Sequence, residues 1–350
     1  MTRSIKVGDI YIGGGAPISI QSMTNTNTED VEATVAQIGR LAQAGCQIVR
    51  FAVNTSLSAV AVKHIVDRVD IPTVADIHFD YKLAITAIEN GISKVRINPG
   101  NIGDESRIRA VLDCAKMHGV PIRIGVNSGS IDKDIYLRYG NSAEALVESA
   151  MRHVEILERY SFYDTVISVK ASDTLRTIEA NRLLHDRCDY PLHIGVTEAG
   201  LGEDALIKSA VALGSLIADG IGDTMRVSVT GDPVKEIDYA RKILRACGVD
   251  RSYVEIVSCP TCARTEIDLE HIVSYLRDRY SAVSRPLKVA VMGCIVNGVG
   301  EGKDSDIGVA GGRDKSAIFA NGEILTTVPN DVLLDTLVKM IDERLENTNE

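Results

Sequence analysis

Short apolar stretches recur along the first 250 residues of the chain, and a segment with helical periodicity lies between each and the next. The predicted strands are Pro17–Met23, Cys46–Val53, Pro72–Ala75, Ser93–Ile97, Pro121–Val126, Thr165–Val169, Leu192–Val196 and Thr224–Val229. Strands that alternate with helices pair in parallel through right-handed crossovers, because only then does each helix pack back onto the sheet. Roughly eight such units predict an α/β fold of the closed (β/α)8 type, a TIM-like barrel.

An open, doubly wound sheet is the alternative arrangement for alternating strands and helices. That fold binds dinucleotides through a glycine-rich turn after its first strand. No such fingerprint follows Pro17–Met23 in this sequence. The closed barrel is therefore the prediction for the N-terminal part of the chain.

The pattern changes after Asp250, where strands and helices no longer alternate regularly. The predicted elements of this part are strands at Tyr253–Val257, Leu287–Met292, Asp306–Val309, Ala317–Phe319 and Ile324–Thr327, and helices at Asp268–Tyr280 and Asp331–Leu345. About 100 residues is an ordinary domain size. We therefore predict two domains, a barrel over residues 1–250 and a smaller α+β domain over residues 251–350.

Composition and charge exclude several classes of partner. The chain has no tryptophan, 4% aromatic residues and a net charge of −10. Nucleic-acid and anionic-membrane binders need aromatic platforms or basic surfaces, so neither class of partner is expected. The N-terminus lacks an apolar signal segment, and no apolar run reaches membrane-spanning length. These observations predict a cytoplasmic protein.

Three cysteines suggest a metal centre in the C-terminal part of the sequence. Cys259 and Cys262 are separated by two residues, and Cys294 follows in a glycine-rich segment. Soft thiolates at this spacing favour zinc or an iron–sulfur cluster over hard cations. No fourth cysteine falls in this segment, and Glu301 is the nearest hard ligand that could complete the set.

Two other interpretations of these thiols remain open. A Cys-x-x-Cys motif is often a redox pair, and a zinc site of three cysteines with His271 would also satisfy the spacing. The four remaining cysteines lie at predicted element edges and on predicted helices, and are interpreted as buried or incidental thiols; they are Cys46, Cys114, Cys188 and Cys247.

Basic residues recur on the predicted barrel strands. They are Arg50, Arg96, Arg123, Lys170 and Arg226. A closed barrel has no edge strands, so these side chains must point to the mouth or the interior, where unpaired cations are costly. An anionic ligand with several negative charges removes that cost, and arginine forks suit phosphate oxygens. The series therefore predicts a small anionic substrate, most simply a diphosphate.

Neutral and acidic groups lie at the same strand ends. Asp76, Asn98 and Asn127 are candidates for binding substrate hydroxyls, with Thr197 and Ser228 beside them. Glu198 is a candidate proton donor, provided that a nearby phosphate raises its pKa. The alternative is that Asp76 and Glu198 only neutralise the arginines.

Longer motifs are spread over both predicted domains. They are Ser-Met-Thr-Asn-Thr at 22–26, Val-Arg-Ile-Asn-Pro-Gly-Asn at 95–101, Gly-Val-Asn-Ser-Gly-Ser at 125–130, Cys-Pro-Thr-Cys at 259–262 and Gly-Cys-Ile-Val-Asn-Gly-Val-Gly-Glu at 293–301. These motifs resemble those of the bacterial 4-hydroxy-3-methylbut-2-enyl diphosphate synthases of the methylerythritol phosphate route to isoprenoids, in their two-domain form. The resemblance covers essentially the whole chain.

The resemblance implies an oxidoreductase that opens and reductively dehydroxylates 2-C-methyl-D-erythritol 2,4-cyclodiphosphate with two electrons. It implies a 4Fe–4S cluster held by Cys259, Cys262, Cys294 and Glu301, which makes Glu301 a catalytic residue as well as a ligand. Electrons are expected from flavodoxin or ferredoxin. The cations on the barrel strands, joined by Ser228, are expected to hold the diphosphate.

Two rival functions fit part of the same pattern. One is an iron–sulfur redox sensor whose barrel only binds a metabolite. The other is a zinc-dependent barrel transferase or lyase that acts on a phosphorylated substrate. Anaerobic absorbance spectra separate zinc from iron–sulfur, and turnover separates an enzyme from a sensor.

The connection between the two domains predicts an assembly. The last barrel helix, about Val234–Ala246, spans about 20 Å and ends at the face opposite the active site. The six residues Cys247–Ser252 reach at most roughly 20 Å, and they contain a glycine turn that shortens this reach. We therefore predict a head-to-tail homodimer in which each cluster domain caps the barrel of its partner.

Overall fold

Eight parallel strands form the sheet of the first unit, Met1–Cys247. The structure is a computed structural model that describes residues 1–347, with the side chain of residue 99 excepted. A hairpin, β1 (Ile5–Val7) and β2 (Ile10–Ile12), precedes this sheet. The strands of the sheet are β3 Ser19–Met23, β4 Ile48–Ala52, β5 Thr73–Asp76, β6 Lys94–Ile97, β7 Ile122–Asn127, β8 Thr165–Lys170, β9 His193–Ile194 and β10 Thr224–Met225.

The sheet closes on itself. Its strand order is β8-β7-β6-β5-β4-β3-β10-β9, and the two end strands β8 and β9 lie next to each other through a parallel bridge between Ile167 and Leu192. The predicted barrel is therefore confirmed. β9 and β10 are shorter than the apolar patterns suggested. Beyond them the backbone still bonds to its neighbour, as from Arg226 N to Ile194 O at 3.0 Å, but it leaves the regular ladder.

Alternate residues of each strand face opposite sides of the barrel wall. On β7, Ile122, Ile124 and Val126 belong to the apolar core of the unit. Arg123 and Gly125 lie between them and line an internal pocket. The period-two alternation thus turns apolar residues outward to the helices and polar residues inward, which is why charged residues occur in strands that are buried on both faces.

The β1–β2 hairpin closes the N-terminal end of the barrel, and the sequence patterns did not predict it. Ile5, Val7 and Ile12 pack against Ile48 of β4 and Val74 of β5, and Val166 of β8 completes the same cluster. Strands of three residues give too short an alternation to be recognised in the sequence. The hairpin leaves the opposite end of the barrel as its open mouth.

Helices follow the strands and cover the outside of the barrel. They are α1 Val31–Gln43, α2 Ser56–Val66, α3 Tyr81–Glu89, α4 Pro99–Ile102, α5 Glu105–His118, α6 Lys133–Tyr139, α7 Ala143–Arg159, α8 Thr174–Arg187, α9 Gly202–Ala218 and α10 Val234–Ala246. Several begin at a capping side chain. Ser142 Oγ accepts from Ala145 N at 3.1 Å at the start of α7, and Asp173 accepts from Arg176 N at 2.7 Å at the start of α8.

The second unit begins at Gly248 and contains a five-stranded mixed sheet. Its elements are β11 Val254–Ser258, α11 Leu269–Arg279, β12 Leu287–Met292, α12 Ile295–Glu301, β13 Ile307–Ala310, β14 Lys315–Ala320, β15 Glu323–Pro329 and α13 Leu333–Asn347. The strands lie in chain order. β11, β12 and β13 are parallel to one another, β14 pairs antiparallel with β13, and β15 pairs antiparallel with β14. An apolar core lies between this sheet and α11 and α13.

No helix within residues 1–347 is both long enough and apolar enough to cross a bilayer.

We predict that Leu337→Ala destabilises the second unit. Leu337 of α13 is fully buried in the core of this unit, so the truncation removes apolar contacts and leaves a cavity. The expected loss is about 2–5 kcal/mol, measured by denaturant unfolding. Leu325→Ala is the matched control, because Leu325 is 49% exposed on β15 and its truncation should cost little. Equal losses for the two variants would contradict this packing.

Candidate active site

A pocket of about 130 Å³ lies in the first unit, at the C-terminal ends of the barrel strands. Nine of the ten residues predicted to bind substrate line it. They are Arg50, Asp76, Arg96, Arg123, Asn127, Lys170, Thr197, Arg226 and Ser228. Parallel strands bring these residues together because their inward-facing positions end at the same mouth. In the register, Arg96 lies beside both Asp76 and Arg123, and Asn127 lies beside Lys170.

Asp76 is the carboxylate at the centre of the pocket's charge network. One of its oxygens lies 3.1 Å from Arg96 Nη1. The other lies 3.3 Å from His78 Nε2 and 3.9 Å from Arg50 Nε. Burial alone raises the pKa of Asp76, but Arg50, His78 and Arg96 outweigh it and hold that pKa well below its usual range. The interpretation of Asp76 as a partner of the arginines therefore has direct geometric support.

Glu236 is a second internal carboxylate, which the sequence analysis missed. It lies on α10, is 2% exposed, and binds Arg226 through both oxygens at 2.8 and 3.0 Å. Ser22 of β3 donates to the same carboxylate at 2.7 Å. Its position in the sequence, in the first turn of an amphipathic helix, is that of an ordinary surface glutamate. Only the closure of the barrel reveals it as the partner of Arg226.

Two of the pocket's cations have no acidic partner among residues 1–347. Arg123 is 1% exposed, and its Nε and Nη2 atoms have no hydrogen-bond partner. Lys170 is also buried, and no carboxylate of the described residues forms an ion pair with it. Burial, reinforced by neighbouring arginines, lowers the pKa of both side chains. Five basic side chains thus face two carboxylates, and a bound anion would stabilise their charged forms.

Two glycines make room for the long cationic side chains. A Cβ atom at Gly125 would lie 2.5 Å from Nε of Arg96, and one at Gly195 would lie 2.5 Å from Nζ of Lys170. Gly125 O also accepts from Arg96 Nη2 at 3.1 Å. Gly125 and Ser168 line the pocket but were not predicted. The signal that could have found them is the period-two spacing from Arg123 and Lys170.

Two predicted site residues, Asn98 and Glu198, do not line the pocket. Asn98 is buried but is not among the residues that line the pocket, and its Oδ1 atom accepts from Gly100 N at 3.1 Å as the cap of α4. Glu198 is exposed on the loop after β9. Its φ of 55° lies in the left-handed region, which is uncommon for a residue with a side chain. The roles assigned to both residues stay predictions.

The predicted metal ligands lie on the second unit. Cys259 and Cys262 follow β11, and Cys294 caps the start of α12, whose last residue is Glu301. Gly293 N donates to Cys259 Sγ at 3.2 Å, which ties the two cysteine-bearing segments together. Cys259 and Cys294 are partly buried and Cys262 is exposed.

Arg264 links three of these four groups electrostatically. Its pKa is raised by the Cys262 side chain, and the charges of Cys294 and Glu301 act in the same direction. Cys262 is the group that acts most strongly on Arg264, while Gly293 joins Cys259 to the segment of Cys294. Three thiolates and one carboxylate form a donor set of the soft type that iron–sulfur clusters and zinc bind.

A single-ion zinc site is less well matched. Among residues 1–347, no three His, Cys, Asp or Glu side chains lie close enough together to hold one metal ion. His271, the possible fourth zinc ligand, lines a different cavity of about 400 Å³ with Asp268 and Asn330. A four-iron cluster binds each ligand to a different iron, so its ligands are spaced more widely than those of one ion.

Comparisons with known proteins assign the family. The sequence matches the GcpE TIM-barrel domain over residues 2–241 and the GcpE protein C-terminal domain over residues 255–343. A relative from Caldanaerobacter subterraneus subsp. tengcongensis is 53% identical over 347 residues, covering 99% of this chain and 98% of that protein. A relative from Thermotoga maritima is 50% identical over 346 residues, covering 99% of each. Both are named 4-hydroxy-3-methylbut-2-en-1-yl diphosphate synthase (flavodoxin).

Solved structures share the barrel but little sequence. Dihydropteroate synthase from Stenotrophomonas maltophilia superposes with a TM-score of 0.52 at 14% identity, covering 71% of this chain and 98% of that one. N-acetylneuraminic acid synthetase from Leptospira borgpetersenii gives a TM-score of 0.50 at 14% identity, covering 81% and 99%. At such identities the likeness concerns the fold alone. The two matched domains and the relatives of about half-identical sequence show that this chain belongs to the GcpE family of 4-hydroxy-3-methylbut-2-en-1-yl diphosphate synthases.

Proposed function

We propose that the protein converts 2-C-methyl-D-erythritol 2,4-cyclodiphosphate into 4-hydroxy-3-methylbut-2-enyl diphosphate in isoprenoid precursor synthesis. The observation that carries this proposal is a pocket lined by five basic side chains, three of which pair with Asp76 or Glu236, in a chain that belongs to this family. In its ionised form the cyclic substrate takes up two electrons and one proton. The products are the open diphosphate and one water molecule.

The pocket is proposed to hold the diphosphate. Arginine forks bind phosphate oxygens through paired, charge-assisted hydrogen bonds. Arg123 and Lys170 have no acidic partner among the described residues, so a diphosphate neutralises charge that the protein leaves unbalanced. Arg50 and Arg96 pair with Asp76, and Arg226 pairs with Glu236. These three arginines add to the positive electrostatic potential in the pocket. Residues 1–250 are thereby assigned to substrate binding.

Residues 251–350 are proposed to hold a 4Fe–4S cluster through Cys259, Cys262, Cys294 and Glu301. The hydrogen bond from Gly293 N to Cys259 Sγ, which joins the two cysteine-bearing segments, supports this set. When bound, the cluster supplies electrons that protein side chains cannot supply. Glu301, as a hard ligand among soft ones, is the weakest of the four. Flavodoxin is the proposed donor because the relatives carry it in their names, and ferredoxin is the alternative.

Glu198 is proposed to deliver the proton that the departing hydroxyl needs. Its loop follows β9 directly after Thr197, which lines the pocket. The left-handed backbone at Glu198 is a strained conformation of the kind that clusters at active sites. A carboxyl group near the pocket mouth can exchange protons with solvent and carry them inward.

A head-to-tail homodimer is the proposed assembly. The chain leaves the barrel at the end of α10, on the face opposite the mouth, and turns at Gly248 with a φ of 69°. Exposed apolar side chains surround the mouth on the loops and helix starts that follow the strands; they are Leu57, Phe79, Leu137, Leu175 and Leu201, between 68% and 85% exposed. Ile295 and Val296, beside Cys294, are 49% and 70% exposed. Two such surfaces suit contact between subunits.

The test of the proposed function compares two cysteine variants. Cys294→Ser should lose the iron, the sulfide and the visible absorbance of anaerobically purified protein, because a hydroxyl is a poor ligand for iron. It should also fail to convert the cyclodiphosphate with a chemical reductant. Cys114→Ser on α5 is the matched control and should keep the cluster and the activity. Zinc in place of iron would favour the barrel transferase or lyase, and a cluster without turnover would favour the sensor.

We predict that Gly125→Ala weakens diphosphate binding. The added methyl group would lie 2.5 Å from Nε of Arg96, so the guanidinium must move away from Asp76 and from the pocket. Loss of one charge-assisted contact costs on the order of 1.5–3 kcal/mol, which is at least about tenfold in affinity. Gly39→Ala on α1 is the control, because nothing lies within 4 Å of its added methyl group. Unchanged affinity for diphosphate in Gly125→Ala would place the anion elsewhere.

We predict that mixed dimers restore activity. An Arg96→Ala subunit lacks a working pocket, and a Cys294→Ser subunit lacks a cluster ligand. In a head-to-tail dimer the pocket of the second subunit meets the cluster of the first, so one site of the two is intact. Co-expressed, differently tagged subunits should therefore regain a substantial part of wild-type turnover. Mixed dimers as inactive as both parents would show that each site is built within one chain.

A further inference from the structure

A second set of polar side chains lies inside the barrel beneath the pocket, with no role assigned so far. Two members lie two residues before the pocket residues Arg96 and Arg226, a third lies two residues before Gly195, which packs beside Lys170, and the other two face the same interior from β3. The set comprises Lys94, His193, Thr224, Ser19 and Gln21, all at most 2% exposed. The polar side-chain atoms of all five have no hydrogen-bond partner. Buried polar groups are normally paired, so this layer requires an explanation.

The layer lies between an apolar seal and the pocket. On its N-terminal side the apolar cluster of the β1–β2 hairpin, with Ile48, Val74 and Val166, closes the barrel. On the other side lies Arg123, which lines the pocket and also leaves Nε and Nη2 buried without a partner. Arg123 is thus the link between the anion pocket and the layer below it.

The charges around Lys94 are mostly of its own sign. The charged or titratable groups that the barrel turns inward around it are Arg50 of β4, Asp76 of β5, Arg96 of β6, Arg123 of β7, Lys170 of β8, His193 of β9, Arg226 after β10 and Glu236 of α10. Asp76 and Glu236 are held by arginines. No carboxylate among residues 1–347 pairs with Lys94.

Buried cations without a counterion can lose a proton or gain an anion. Arginine keeps its proton, so Arg123 depends on a bound anion. Lysine and histidine can release theirs. Burial, with the charges of Arg123 and Arg50, lowers the pKa of Lys94 well below its ordinary value, and burial with the same kind of neighbours lowers that of His193. Since a free histidine already has a pKa several units below that of lysine, Lys94 is the first of the two to regain a proton.

We propose that Lys94 is an internal proton acceptor that takes up one proton when a diphosphate fills the pocket above it. Burial and the neighbouring arginines disfavour the ammonium form of Lys94, and negative charge placed beside Arg123 offsets that repulsion and favours the ammonium form. The proposal rests on the anion-binding role of the pocket. It also gives Lys94 a part in the reaction, because ring opening leaves one more negative charge on the diphosphate than the cyclic substrate carries.

The direction of the pH effect follows from this coupling. Below the pKa of Lys94 in the free protein the amine is already charged, and diphosphate affinity does not depend on its titration. Above that pKa, binding consumes a proton, so affinity falls as the pH rises until the pKa of the complex is passed. The expected slope is up to one tenfold loss per pH unit in that window from Lys94 alone.

The experiment measures protons taken up as inorganic diphosphate binds to the full-length protein. Calorimetric titrations at pH 8 in buffers of different ionisation enthalpy give the proton count. Inorganic diphosphate is itself partly protonated at pH 8 and contributes to the count, so the difference between wild type and each variant is the quantity that reports on the protein. Lys94→Met, a neutral side chain of similar length, should lower the count by up to one proton and weaken binding on the order of tenfold. Lys208→Met, at an exposed position on α9, should match wild type.

Each outcome bears on a different claim. A proton count in Lys94→Met equal to that of wild type would overturn the role of Lys94 and leave the pocket in place. Wild-type protein that does not bind diphosphate would overturn the proposed function and the proton uptake together.

Thermal unfolding tests whether the Lys94 variants keep the fold. Because a neutral buried lysine opposes folding below its ordinary pKa, Lys94→Met should unfold at a temperature no lower than wild type. Lys94→Gln serves as a second neutral variant.

Discussion

The barrel interior carries more positive charge than its own carboxylates neutralise, and the rest of the structure depends on this imbalance. Arg50, Arg96 and Arg226 are paired with Asp76 or Glu236, whereas Arg123 and Lys170 are not. Closure of the sheet prevents these side chains from reaching solvent at a strand edge. A bound anion offsets the energetic cost of burying these charges, which is the physical basis of the proposed diphosphate site.

The fold accommodates this charge through its backbone. Period-two alternation sends apolar residues outward to the helices, and Gly125 and Gly195 leave space for long side chains inside. The β1–β2 hairpin seals the opposite end with apolar residues. The interior is therefore a polar chamber open at one end. A charge that enters at the mouth acts through Arg123 on every titratable group behind it, because the low dielectric of the interior screens weakly.

The second unit carries the proposed metal ligands, whereas the barrel carries the proposed substrate pocket. Its sheet and the short helix α12 carry the four proposed ligands, Cys259, Cys262, Cys294 and Glu301. In the proposed function, the barrel positions the substrate and the second unit supplies the electrons. The proposed head-to-tail dimer is the assembly that brings the barrel of one subunit to the second unit of its partner.

The sequence alone determined the barrel, the cations of the strands and the spacing of the thiols, because these depend on local periodicity and residue type. Tertiary structure decided which groups pair. Glu236 looks like a surface residue in the sequence but binds Arg226 and Ser22, and Asn98, predicted in the pocket, caps α4. The hairpin and the buried layer around Lys94 were equally invisible. A side chain's partners come from strands and helices distant in sequence, and closure of the barrel fixes the distances that decide among them.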